Sequence, residues 1–172
     1  MPFIYKGDRS AANSGPVRDS KVLADSTEFT IGDAVKEDGT NGTLIVWGAG
    51  GAGWGIIIGF KKADGSPVTD NGAGSDFDDT YTTPSSNTVL AIVDTSKTSL
   101  WSVTADATLG TTTGTDKTGV NLDLVAASDQ LDESSVQTAG TTASFLSFGA
   151  DPDPKAPSNS LIVSIQESQL DI

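Results

Sequence analysis

The stretch 44–60, LIVWGAGGAGWGIIIGF, decides how this chain is read. Gly48, Gly50 and Gly53 spell G-x-G-x-x-G behind a β-branched run, the outward form of a dinucleotide-binding fingerprint. That fingerprint works because its last glycines open a helix, whose N-terminal N–H groups and dipole hold a pyrophosphate. Here Trp54, Gly55, Ile56, Ile57, Ile58, Gly59 and Phe60 follow. Three consecutive β-branched residues between glycines read as a buried strand rather than as the first turns of a helix. Asp64-Gly65 and Pro67 then turn the chain before any crossover helix fits. The stretch therefore predicts two buried strands joined by a glycine-rich connection that lets backbones approach closely. No nucleotide cofactor is expected from it.

Outward from this stretch the same strand-and-turn grammar continues. An alternating run at 29–35 leads through Asp38-Gly39 and Asn41-Gly42 to 43–47, and Asn-Gly between apolar alternations is a strong hairpin signal. NTVLAIVD (87–94), SLWSVTAD (99–106), GVNLDLVAA (119–127), TASFLSFGA (142–150) and SLIVSIQES (160–168) read as further strands. No window longer than about ten residues shows helical periodicity, and VAASDQLDESS (125–135) has room for one helical turn. Strands at this spacing predict an all-β chain, a compact β-barrel or sandwich-like single domain with an extended N-terminal arm and a long acidic loop. Residues 1–20 are set apart as the arm, and 21–172 as the β-rich domain. Phe3, Ile4 and Tyr5 are the arm's apolar anchor. A loose terminus and an arm docking on a neighbouring subunit both fit it. The long loop is 64–87, and a proline-rich excursion covers 150–159.

Composition removes whole classes of chemistry. The 172 residues include no cysteine and no histidine, which excludes disulfides, thiolate or imidazole zinc sites, cysteine nucleophiles and Ser-His-Asp arrangements. Neither Ser-x-x-Lys nor G-x-S-x-G occurs, so an enzyme is not expected. Ten basic against 23 acidic residues give −13 at pH 7, the wrong sign for a nucleic-acid partner or an anionic membrane. No apolar window has membrane-spanning length. The first residues lack the apolar core of a signal peptide, which predicts assembly in a cytoplasm.

Asp70, Asp76, Asp78 and Asp79 in the acidic loop are the best metal candidates, since calcium takes carboxylate and carbonyl oxygens. The spacing is not that of an EF-hand, and a solvated loop is the favoured reading, with no metal or other cofactor. Trp47, Trp54 and Trp101 would suit a sugar-stacking platform, but each lies in or beside a strand, where core packing is the commoner fate.

KVLADSTEFTIGDAVKEDGTNG (21–42), WGIIIGFKKADGSPV (54–68), LAIVDTSKTSLWSVTADATLGTTTGTDKTGVNLDLV (90–125) and QLDESS, TASFLSFGADP and SLIVSIQESQL beyond them together resemble capsid decoration, or cement, proteins of tailed bacteriophages. The resemblance implies a structural protein on the outer capsid surface of the virion. It would bridge neighbouring major capsid proteins against the pressure of packaged DNA, and it could associate with itself as a homo-oligomer. Four of the ten cations lie in the first 21 positions, so Lys6, Arg9 and Arg18 are the expected charge partners of a capsid contact anchored by Phe3, Ile4 and Tyr5. A host-adhesion or carbohydrate-binding module and a tail or fibre subunit are the rival readings.

Overall fold

A computed structural model describes residues 3–9, 18–48, 52–107, 117–125, 130–137 and 145–166, with backbone alone for Asp8 and 133–137. Among these residues there is no helix, and thirteen strands form three antiparallel sheets. In chain order they are β1 (Ile4–Asp8), β2 (Arg18–Val22), β3 (Glu28–Thr30), β4 (Ala34–Glu37), β5 (Leu44–Val46), β6 (Gly55–Lys61), β7 (Thr80–Thr82), β8 (Leu90–Asp94), β9 (Ser99–Thr104), β10 (Asn121–Leu124), β11 (Leu131–Gln137), β12 (Phe145–Ala150) and β13 (Ser160–Ile165). The larger sheet has the order β1-β9-β13-β12-β10-β11, the second β2-β8-β6-β4-β5, and β3 pairs with β7 alone. Both larger sheets keep two edges, so no barrel closes and the arrangement is sandwich-like.

The opening stretch explains the layering. β6 alternates its side chains, so Ile56 joins the core facing the six-stranded sheet and Ile57 joins a second core on the opposite face. A strand buried on both faces reads as an unbroken apolar run, which is what GIIIGF is. The first core gathers Trp101, Val103, Leu122, Phe145, Leu161 and Val163 of the large sheet against Ala34, Trp47 and Ile56. The second gathers Phe29, Val35, Leu44, Trp54, Phe60 and Tyr81 beneath the β3–β7 pair.

The glycine-rich connection does not join paired strands. β5 and β6 both pair with β4, one on each side, and the connection passes between them. Trp47 N–H donates to Ala34 O and Trp54 N–H to Val35 O, tying both ends of the crossing to β4. A Cβ on Gly53 would lie 2.0 Å from Cζ3 of Trp47, so only glycine admits the indole here. The Asn41-Gly42 signal is a hairpin between β4 and β5. Gly42 has φ 67°, and the Asp38 carboxylate accepts from Thr40 N–H and the Asn41 amide.

Three placements differ from the sequence reading. The stretch 29–35 is broken by a turn at Gly32 (φ 97°), so β3 and β4 lie in different sheets. The acidic loop contains β7, and its Val68, Phe77 and Tyr81 pack on the second core, so much of it is a structured cover. Leu131–Gln137 is a strand, although the sequence 125–135 has room for a helical turn. The segment 1–20 meets the body in both of its described pieces, as β1 in the large sheet and as the start of β2 in the second. Phe3 fixes the first of these, buried with its ring 5.0 Å from that of Phe145 and its N–H donating to Gly32 O.

Candidate functional site

The surface features of interest converge on β1, which among the described residues is an edge strand with β9 on one side only. Among the described residues Ile4 and Tyr5 are the large apolar side chains left exposed, at 46% and 45%. An edge strand presents unpaired N–H and C=O groups, and apolar side chains beside them make it a template for another chain.

On one side of β1 lies a latch. Lys6 Nζ is 3.2 Å from Oδ2 of both Asp151 and Asp153, in the proline-rich loop between β12 and β13. Asp151 also accepts the Ser102 hydroxyl on Oδ2 and the Asp153 N–H on Oδ1, and Asp153 accepts the Lys155 N–H. Burial alone would raise the Asp151 carboxyl. The Ser102 hydroxyl, the Asp153 N–H and Lys6 outweigh burial and hold it below the ordinary carboxylate value. Asp153 is likewise lowered, by the Lys155 N–H first and then Lys6, while the two carboxylates raise the Lys6 ammonium. Asp-Pro-Asp-Pro stiffens the loop, because proline fixes its own φ and restricts the residue before it. The loop forms a shallow groove of about 630 Å³ with Lys6, Leu100 and Ile162.

The pH dependence follows. The lowered carboxyls contribute stability above their ordinary value of 3.8, lost as pH falls through their folded values. Raised Lys6 contributes below 10.5 and loses its share as pH rises through its folded value. Asp151→Asn is therefore expected to melt below the wild type at neutral pH, with the gap narrowing as pH drops beneath about 3.8. Thermal melts between pH 2 and 7 on the two proteins check this. A gap of constant size would remove the latch from the account.

Elsewhere beside β1 lies a cleft of about 370 Å³ lined by Tyr5, Arg18, Ile58, Ile92, Asp94 and Trp101. The largely buried Trp101 meets Tyr5 edge-on, with ring centroids 5.4 Å apart. Ile58 and Ile92 are half-buried, Arg18 is exposed and Asp94 is fully buried, its Oδ1 accepting the Ser96 N–H. Arg9 stands at the end of β1, donating to Lys97 O and lying 4.8 Å over the Phe148 ring.

The capsid-contact candidates thus separate. Phe3 is a core residue, Lys6 is held by two carboxylates, and Ile4, Tyr5, Arg9 and Arg18 remain at the surface around one edge. The metal candidates do not gather, and among the described residues no three acidic side chains are placed to hold an ion. Asp70 Oδ1 instead accepts the Gly72 N–H, and an isolated antiparallel bridge between Asp70 and Asp76 closes the loop on itself. Trp47, Trp54 and Trp101 are 0%, 4% and 2% exposed, which leaves no tryptophan platform for a sugar. Sequence reasoning missed Ser102, Asp151, Ile58 and Ile92. Only the outward register of Ser102 in SLWSVT hinted at a polar partner across the sheet. No helix of the described residues is long and apolar enough to cross a membrane. No family model, curated protein or solved structure matches the chain.

Proposed function

We propose that this protein is a structural capsid decoration protein. It binds the outer surface of an icosahedral phage head, assembled in the host cytoplasm, and ties neighbouring major capsid proteins together without catalysis. The observation that carries the reading is the pairing of Ile4 and Tyr5, exposed and consecutive, on an edge strand. Exposed apolar residues beside an open main-chain edge favour a protein partner over a small substrate. The likeness of 21–42, 54–68 and 90–125 to cement proteins supplies the identity of that partner. A specific interface of standard size buries about 800 Å² on each side. Repeated across a lattice, modest single contacts become a large collective restraint. The net charge of −13 keeps a particle coated with many copies soluble.

Heads stripped of their decoration and mixed with the purified protein provide the test. Saturable co-sedimentation, with heads more resistant to heat than bare ones, is the expected result. Protein left wholly in the supernatant would refute the reading.

A further inference from the structure

We infer that Asn71 is a site of self-modification, where the main-chain nitrogen of Gly72 displaces the side-chain amide as ammonia. Water then leaves an aspartate or isoaspartate at position 71 of the acidic loop. This chemistry belongs to the chain alone and does not depend on the function proposed above.

The chain has two Asn-Gly pairs, Asn41-Gly42 and Asn71-Gly72. Glycine makes such a pair reactive because no Cβ obstructs the approach of its nitrogen to the preceding side chain. The fold equips the two pairs differently. Gly72 N–H donates to Asp70 Oδ1 at 2.9 Å, so a carboxylate touches the proton that the attacking nitrogen must lose. That is the position of a general base. Asn71 Oδ1 accepts from Ala73 N–H at 3.0 Å and from Ser75 N–H at 3.1 Å. Two main-chain donors on this oxygen stabilise the negative charge it gains when Cγ becomes tetrahedral, as an oxyanion hole does.

The surrounding main chain holds the reacting atoms in place. Asn71 N–H donates to Ser75 O, and Asn71 O accepts the Thr82 N–H of β7. Gly72 has φ 76°, and a Cβ there would run into Thr82 O. Gly72 is also exposed, so water reaches the site. At the other pair Gly42 N–H meets the main-chain oxygen of Asp38, a far weaker base than a carboxylate. There the Asp38 carboxylate accepts from the Asn41 amide nitrogen instead, and among the described residues no N–H donates to Asn41 Oδ1.

The step balances with water as the one co-reactant. The Gly72 N–Cγ bond forms and the Cγ–Nδ2 bond breaks, while the Gly72 proton passes by way of Asp70 to the departing ammonia. Water then opens the resulting succinimide at either carbonyl. Nothing is oxidised or reduced. The product adds a negative charge beside Asp70, Asp76, Asp78 and Asp79. The isoaspartate form also lengthens the main chain by one methylene and moves Gly72 from its seat against Thr82 and Tyr81.

The experiment incubates the full chain in mildly alkaline buffer, folded and in denaturing urea, and follows conversion at Asn71 and Asn41 by peptide mass spectrometry. Asp70→Asn is carried through the same course. Its side-chain oxygen can still accept the Gly72 N–H but is no longer a base. In urea the two sites should convert at similar rates. In the folded chain Asn71 is expected to convert at least about tenfold faster than Asn41, an advantage that Asp70→Asn removes. An Asn41 rate equal to that of the folded wild type shows that the variant itself is folded. A folded-state ratio no greater than the ratio in urea, or a wild-type rate at Asn71 in folded Asp70→Asn, would overturn the inference.

Discussion

Phe145→Ala is expected to cost about 3–5 kcal/mol, the range for emptying a buried aromatic site. For a chain of this length that lowers the melting temperature by roughly 6–20 °C. Phe145 is fully buried at the junction of three parts of the fold. Its ring stacks on Phe3 at 5.0 Å and tilts against Trp47 at 5.0 Å, so one side chain joins β12, the lead-in to β1 and the glycine-rich crossing. Truncation leaves a cavity that neither neighbour can fill without leaving its own place. The loss should therefore also loosen β1, seen as faster amide exchange over Ile4–Asp8 than over β13. Urea and thermal denaturation measure the first effect. A loss below about 1 kcal/mol, ordinary for an unremarkable substitution, would show that Phe145 is not the keystone of the first core.

Gly53→Ala is the second large effect, and it comes from one added methyl group. The new Cβ would stand 2.0, 2.1 and 2.4 Å from Cζ3, Cε3 and Cη2 of Trp47. Trp47 is wholly buried against Phe145 and cannot swing aside into solvent. Overpacking of this kind costs about 1–3 kcal/mol and occasionally more. Gly39→Ala is the matched control, because nothing lies within 4 Å of its added Cβ, and it should stay within about 0.5 kcal/mol of wild type. If the indole is the obstacle, Trp47→Leu in the Gly53→Ala background should restore part of the lost stability, a coupling that a double-mutant cycle measures. Equal stability of Gly53→Ala and Gly39→Ala would contradict the close approach on which the crossing depends.

Much of this fold is legible because local patterns carry it. GIIIGF, LAIVD and SLIVSI read as strands from β-branched content alone, and Asn41-Gly42 announces its hairpin through the φ that glycine tolerates. What is not legible is which strand meets which. TSKT at 95–98 resembles a hairpin turn, yet it carries the chain from β8 in one sheet to β9 in the other. β7 is Thr-Tyr-Thr, strand-forming residues but only three of them among aspartates and glycines, and β11 is written LDESSVQ, so β11 owes its extended form to pairing rather than propensity.

The site follows the same division. Ile4, Tyr5, Arg9 and Arg18 stand out in the sequence, as bulky or basic residues in a polar, acidic chain. The partners that define their surroundings are distant, Asp153 lying 147 positions from Lys6. Phe3 shows the limit most plainly. An apolar residue near a terminus reads as an external anchor, and only the packed structure reveals that Phe145 and Gly32 already hold it.

We propose that the protein covers the shell of a phage head. Its most direct test is the copy number of this chain per intact particle, by quantitative mass spectrometry of purified virions. A number comparable with that of the major capsid protein is expected. A handful of copies per particle, or none, would contradict it.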